Sequence, residues 1–337
     1  MAQVIRVPDG RSLTVDSWGD EAGVPVFLLH GTPGSRSGPK PRSSVLYRLG
    51  VRLICYDRPG YGGSSRHPDR IVADAAWDVL AVADELGLDQ FSVVGRSGGG
   101  PHALACTALL PERVRSSAVL VGIAPSDAKD LDWYSGMTRS NVTAYDQASS
   151  ATVKVDLTMR ADRIRADPAE MIKFLAPELT VPDRRIVADG AIRRQLMNTY
   201  AEACRNGAYG WIDDVLAFRR SWGIDLSAIK APVLFWHGAE DVFSPVAHTL
   251  WLASQIRDAV VDVHIQPGAA HFDAVGVLPN VLARVQEAAA QHGRWSKPNG
   301  TAPGSRDRSP YADIRLRTVA RDSGIAREFP PPGYRSG

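Results

Sequence analysis

The apolar run Phe91 to Val94 ends in Gly95, Arg96, Ser97, Gly98 and Gly99, and a helix-like stretch continues to Leu110, where Pro111 ends it. A G-x-S-x-G spacing between a strand and a helix is that of a nucleophile elbow. The tight turn holds the serine in a strained backbone conformation, with its hydroxyl above the sheet edge and at the positive end of the next helix. Small residues at Gly95 and Gly99 let neighbouring backbone pass close by. The competing reading is a glycine-rich turn that binds phosphate or simply packs. No Walker lysine follows, however, and Gly95, Ser97 and Gly100 do not fit G-x-G-x-x-G.

A serine hydroxyl is a poor nucleophile until a base takes its proton, and that base needs a carboxylate to fix its tautomer and stabilise its charge. Asp241 follows the apolar run Val233 to Trp236 through His237, Gly238, Ala239 and Glu240, and His271 follows Gly268, Ala269 and Ala270 after the next run. Both therefore sit on loops at strand ends, where α/β sheets place their sites. Asp241 could otherwise be a helix N-terminal charge, and His271 a packed or solvent-facing side chain. The chain order Ser97, Asp241, His271 is nevertheless the one expected of a nucleophile elbow. Glu240 and Asp127 are rival acids. His67, His102, His237, His248, His264 and His292 are less suited to the base role: His102 lies in the helix after Ser97, His264 in a strand, and His237 ahead of the acid loop.

A tetrahedral intermediate needs donors for its negative charge. The loop His30, Gly31, Thr32, Pro33, Gly34 follows the run Val24 to Leu29, and because Pro33 has no N–H, Thr32 is the natural donor from this segment. The second is Gly98, immediately after the nucleophile. His30 reads as an organiser of its loop. A third glycine-rich turn, Asp57 to Ser65, follows Val51 to Cys55 and reads as shaping the mouth of the site.

These loops require a sheet. Gln3 to Val7 and Leu13 to Trp18 alternate apolar and polar residues around Pro8, Asp9 and Gly10, which predicts an antiparallel hairpin. Val24 to Leu29, Val51 to Cys55 and Phe91 to Val94 are continuous apolar runs of the kind expected in a parallel sheet covered on both faces. Asp69 to Leu86 carries Val72, Ala76, Val79, Leu80, Ala83 and Leu86 at helical spacing, with Asp74, Asp78 and Glu85 off that stripe and Gly87 as a stop. Strand, helix, strand is a right-handed crossover unit. The next strand is Ala118 to Ile123. From Pro125 to Lys230 only helix-like pieces appear, including Pro168 to Leu175, Ile186 to Cys204 and Asp213 to Trp222. Strands resume at Val233 to Trp236 and Val260 to Ile265, before a helix over Phe272 to His292. The predicted division is a core of residues 1–124 and 231–292, a helical cap over 125–230, and a disordered basic tail over 293–337, in which only Tyr311 to Val319 looks capable of local structure.

Together the segments HGTPG, DRPGYGGSS, GRSGG, HGAED and GAAH resemble the α/β-hydrolase family, specifically its cap-bearing serine hydrolases related to esterases and proline-iminopeptidase-like enzymes, over about residues 20 to 290. The resemblance implies a mostly parallel sheet with helices on both faces, hydrolysis of a small-molecule ester through Ser97, His271 and Asp241, and no metal or organic cofactor. Serine at position 97 disfavours the relatives that use an aspartate nucleophile. An aminopeptidase would need acidic groups for the substrate amine, and Asp130, Asp132, Asp213 and Asp214 are the candidates; a non-catalytic ligand-binding protein is the third alternative. Arg96 departs from the usual pattern. It is placed to pair either with a substrate carboxylate or with the protein itself. In the cap, Trp133, Tyr134, Tyr145, Phe174, Tyr200, Tyr209, Trp211, Phe218 and Trp222 offer an aromatic surface that serves either as core or as pocket.

Composition bounds the rest. The 337 residues are 44% hydrophobic and 23% charged, an ordinary globular mixture, and the net charge of +2 gives no average field for nucleic acid or anionic membranes. Residues 293–337 hold nine Lys or Arg and four Asp or Glu, so the basicity belongs to that segment and the first 292 residues carry −3. Cys55, Cys106 and Cys204 lie far apart outside metal-ligand spacings, as expected of buried thiols in a reducing compartment. Met1 to Gly10 has no apolar leader run, and no stretch approaches a membrane span. The expectation is a cytoplasmic enzyme acting on a small molecule, with neither nucleic acid nor membrane as partner.

Overall fold

The computed structural model describes residues 2–146, 150–295 and 314–318. Strands β1 (Gln3–Arg6) and β2 (Ser12–Gly19) form the hairpin, with Ile5 opposite Leu13, and the side chain of Asp9 closes its turn by accepting the Arg11 N–H at 3.0 Å. The sheet continues with β3 (Val24–Leu29), β4 (Val51–Tyr56), β5 (Phe91–Arg96), β6 (Val114–Leu120), β7 (Val233–Gly238), β8 (Val261–Gln266) and β9 (Ile314–Thr318). Its order is β1-β2-β4-β3-β5-β6-β7-β8-β9, with antiparallel pairing at β1/β2 and β2/β4 and parallel pairing elsewhere.

Helices cover both faces because the central strands are apolar on both sides. Phe27 and Leu29 face α2 (Asp74–Glu85) and α3 (Gly99–Leu109), whereas Val26 and Leu28 face α1 (Ser43–Leu49) on the opposite side. Each such residue removed fully from water contributes about 1.5–3 kcal/mol. Between β6 and β7 lie α4 (Arg139–Asp146), α5 (Ser150–Ala166), α6 (Ala169–Leu175), α7 (Val181–Ala188), α8 (Gly190–Ala203) and α9 (Tyr209–Phe218), without a strand among the described residues. Most of them share a core cluster with Tyr61, Phe243 and Phe272 from the strand-end loops. Then α10 (Val246–Gln255) packs on the α3 face and α11 (Leu278–Trp295) on the α1 face.

The structure corrects several boundaries. The sixth strand starts at Val114, four residues before the apolar run, because Ser116 and Ser117 are buried as well: the Ser116 hydroxyl donates to Val285 O at 2.8 Å and lies 2.9 Å from that of Ser92. It stops at Leu120, where Val121 takes φ +47°. The span Ile186 to Cys204 is two helices, since Asp189 is extended and its carboxylate caps α8 through the N–H groups of Ala191 and Ile192. The last helix begins at Leu278 rather than Phe272, with Pro279 in its first turn and a short 3-10 turn before it. Asp78 is not on a solvated face; it is buried and ion-paired to Arg11 at 2.7 Å. Most of 293–337 lies outside the described residues, but Ile314–Thr318 pairs in parallel with β8.

The close approach read at the elbow is present. A Cβ on Gly99 would stand 2.2 Å from Leu29 O and one on Gly95 2.2 Å from Gly99 O, so neither position has room for alanine. At Gly190 the nearest atom to such a Cβ is 3.9 Å away. Gly99→Ala is therefore expected to lower unfolding free energy in urea by about 3 kcal/mol, and Gly190→Ala to raise it by about 0.5 kcal/mol.

Candidate active site

Strand ends β3, β5, β7 and β8 bring the residues together. Ser97 has φ +54°, a conformation that L side chains rarely adopt, and its amide donates to Leu120 O at 2.8 Å, tying the elbow to the neighbouring strand. His271 Nδ1–H donates to Asp241 Oδ2 at 2.8 Å, which leaves Nε2 to accept the Ser97 hydroxyl at 3.0 Å. Asp241 Oδ1 accepts the amides of Phe243 and Ser244 at 2.8 and 3.1 Å, and His237 Nε2 lies 3.2 Å from its Oδ2. Burial opposes a charge on Asp241, but His271 and His237 outweigh it and hold the carboxyl well below the ordinary range. Burial likewise pushes the His271 pKa down, and Asp241 more than reverses this, so it stands above the usual imidazole value.

The two amides read as oxyanion donors, Thr32 and Gly98, both border the cavity that contains Ser97, and neither N–H has a hydrogen-bond partner among the described residues. Behind Thr32 stands a cluster that the sequence reading missed. Asp214, on α9, is fully buried and ion-paired to Arg58 and Arg70, each at 2.6 Å. It also accepts the hydroxyls of Thr32 at 2.6 Å and Tyr61 at 2.8 Å. Arg58 donates further to the carbonyls of His30 and Gly31, and its own amide donates to His30 Nε2 at 3.1 Å. His30, with both ring nitrogens engaged, is kept neutral by burial and by Arg58, its pKa pushed well down. The turn from Asp57 to Ser65 thus supplies two partners in this charge cluster, and Asp214 has no capacity left for a substrate amine.

Asp213 is held bidentately by Arg66, Asp130 and Asp132 are exposed, and none of these four carboxylates lines the cavity. Glu240 and Asp127 are also exposed, away from His271. One further acid lies near His271 and favours its protonated form. Asp183 on α7 is buried, accepts the Phe272 amide at 2.8 Å and is capped by the Thr180 hydroxyl at 3.0 Å. The sequence signal was the T-x-x-D of a capping box ahead of α7.

The cavity encloses about 120 Å³. Of the nine aromatic residues in the insertion, Tyr145, Phe174, Tyr200 and Trp211 line it, while Trp133, Phe218 and Trp222 belong to the core beneath and Tyr134 and Tyr209 are exposed. Among the described residues no three His, Cys, Asp or Glu side chains converge as metal ligands would, and no helix is long and apolar enough to cross a membrane.

A sequence profile of the alpha/beta hydrolase fold matches residues 24–275. The chain belongs to that family. It is 28% identical over 257 residues to the 2-hydroxymuconate semialdehyde hydrolase of Pseudomonas putida, covering 73% of this chain and 80% of the relative. It is 30% identical over 262 residues to the pimeloyl-[acyl-carrier protein] methyl ester esterase of Aromatoleum aromaticum, covering 75% and 91%. The crystal structure of a thermophilic esterase from Thermogutta terrifontis superposes with a TM-score of 0.62 at 20% identity, over 87% of this chain and 99% of that one, a likeness of fold. This member of the alpha/beta hydrolase family is a hydrolase.

Breaking a buried ion pair leaves an uncompensated charge. Asp214→Ala strands both Arg58 and Arg70, and urea unfolding is expected to show a loss of about 3–5 kcal/mol. In the unaltered protein the Asp214 carboxyl is opposed by burial but held well below its ordinary value by the two arginines. Its contribution is therefore present at neutral pH and is lost as pH falls below about 4.

Proposed function

We propose that the protein hydrolyses small-molecule carboxylic esters through an acyl-enzyme on Ser97. The observation that carries this is the chain of contacts from Ser97 Oγ to His271 Nε2 at 3.0 Å and from His271 Nδ1 to Asp241 at 2.8 Å, set at the wall of a cavity of about 120 Å³ lined by both apolar and polar residues. His271 takes the Ser97 proton as Oγ attacks the ester carbonyl. The amides of Thr32 and Gly98 hold the oxyanion, and Asp241 stabilises the imidazolium. As the tetrahedral intermediate collapses, the alcohol leaves with the proton from His271. Water then gives a proton to His271 and attacks the acyl-enzyme, and the acid departs as Ser97 recovers its proton.

Helices α4–α9 act as the cap that selects the acyl or alcohol group, through Tyr145, Phe174, Tyr200 and Trp211. Esters are favoured over aminoacyl amides because Asp130, Asp132, Asp213 and Asp214 are all turned from the cavity or already neutralised. The three free, buried cysteines favour a reducing compartment, the cytoplasm.

Ser97→Ala should lower kcat on activated esters by on the order of 10⁴-fold or more while leaving the circular dichroism spectrum intact. Retained turnover in a folded variant removes Ser97 as the nucleophile. Aminoacyl anilides should turn over poorly beside acyl esters. Protonated His271 cannot accept the serine proton, and Asp241 raises its pKa. The kcat/KM profile should therefore fall on the acid side through an apparent pKa above about 6.5; an acid limb well below that value argues against His271 as the base.

A further inference from the structure

The cavity bordered by Ser97 carries a positive charge that the protein does not neutralise. Arg96, the residue before Ser97, is half-buried and lines it, and it also borders a second small cavity shared with Pro39 and Cys55. Among the described residues no carboxylate pairs with its guanidinium, and its one side-chain hydrogen bond is from Nη1 to Pro39 O at 3.3 Å. The titratable groups that influence it most favourably are Tyr200 and Cys55, both buried with their pKa pushed up to about 12 and so neutral near pH 7. Burial accordingly shifts Arg96 below its usual pKa with nothing anionic to reverse it.

Several other arginines of the interior are paired with carboxylates. Arg58 and Arg70 share Asp214, Arg36 is held by Asp16, Asp57 and Glu202, and Arg11 by Asp78. On the cavity wall itself Arg160 is neutralised by Asp156 at 3.0 Å and lies over the ring of Phe174. With His271 neutral, the lining therefore sums to one unmatched positive charge, on Arg96. A partly desolvated guanidinium costs free energy until an anion meets it, and its planar fork suits a carboxylate.

We propose that Arg96 is the binding site for a carboxylate on the substrate, so that the preferred ester is one that also carries a free carboxylate within a few bonds of the scissile carbonyl. This rests on the ester-hydrolase reading of Ser97 and names its substrate class. The same arrangement disfavours an amine-bearing substrate, since its ammonium would meet Arg96, and the one carboxylate among the described residues of the wall, Asp156, is already paired with Arg160.

Matched substrates test it. Monomethyl glutarate, with the charge on the acyl side, is compared with dimethyl glutarate, and 3-acetoxypropionate, with the charge on the alcohol side, with its methyl ester. For at least one pair, kcat/KM of the unaltered protein should favour the anion by about ten- to hundredfold, mainly through KM. In Arg96→Met that ratio should fall to one or below, and Arg96→Lys should restore part of it. Free glutarate should inhibit the unaltered protein at lower concentration than glutaramide, a comparison that needs no variant. Equal turnover of charged and neutral esters, or a ratio unchanged in Arg96→Met, overturns the carboxylate site and leaves the hydrolase reading standing. No turnover of any ester together with no labelling of Ser97 by a fluorophosphonate overturns both.

Discussion

A carboxylate cannot be carried into a protein interior unless cations and donors travel with it, and Asp214 is the place where this chain meets that requirement. Its partners come from two separate stretches, Arg58, Tyr61 and Arg70 around the third glycine-rich turn and Thr32 on the loop after β3, while Asp214 itself lies on a third, α9. Removing ions from water costs several kcal/mol each, so the arrangement holds only when every partner is in place. Its effect is to brace from behind the backbone that offers the Thr32 amide to the cavity, because Arg58 also binds the carbonyls of His30 and Gly31. The loop that carries Thr32 is positioned by a charge cluster whose Arg58, Arg70 and Asp214 stand behind the cavity lining.

Histidine chemistry is sorted by the same surroundings. His102 and His248 are buried without a facing carboxylate strong enough to offset desolvation, and their pKa values fall to about 3 and about 4. His30 is pushed down by burial and by the adjacent Arg58. Only for His271 among these does a directly bonded carboxylate overcome burial, and so it alone of the four is raised. One side-chain type thus serves as packing, as loop support and as the hydrogen-bond partner of the Ser97 hydroxyl according to what stands beside each ring.

The parts legible in the sequence were those with local grammar. An apolar run ending in glycines marks a strand that turns sharply, and this pointed to Ser97, Thr32, Asp241 and His271, which the structure brings to neighbouring strand ends. Burial of polar residues has no such grammar. Ser116 and Ser117 disguised half of β6, and Asp78 looked solvated because its partner, Arg11, lies 67 positions away in the chain. Arg58 and Asp214 are separated by 156 positions, and nothing in either neighbourhood announces the other. Adjacent Asp213 and Asp214 even suggested a substrate site, whereas α9 turns one toward Arg66 and the other into the interior.

The single hydrogen bond from the Phe272 amide to Asp183 gives the helical insertion a say in the geometry beside His271. It means that the insertion is not an interchangeable part. An engineer who grafts a different set of helices between β6 and β7 to change substrate range inherits an obligation along with the freedom. Some atom of the replacement must accept that amide, or the segment carrying His271 loses its anchor on the side away from the sheet. Modularity in this chain ends at the carboxylates of Asp183 and Asp214.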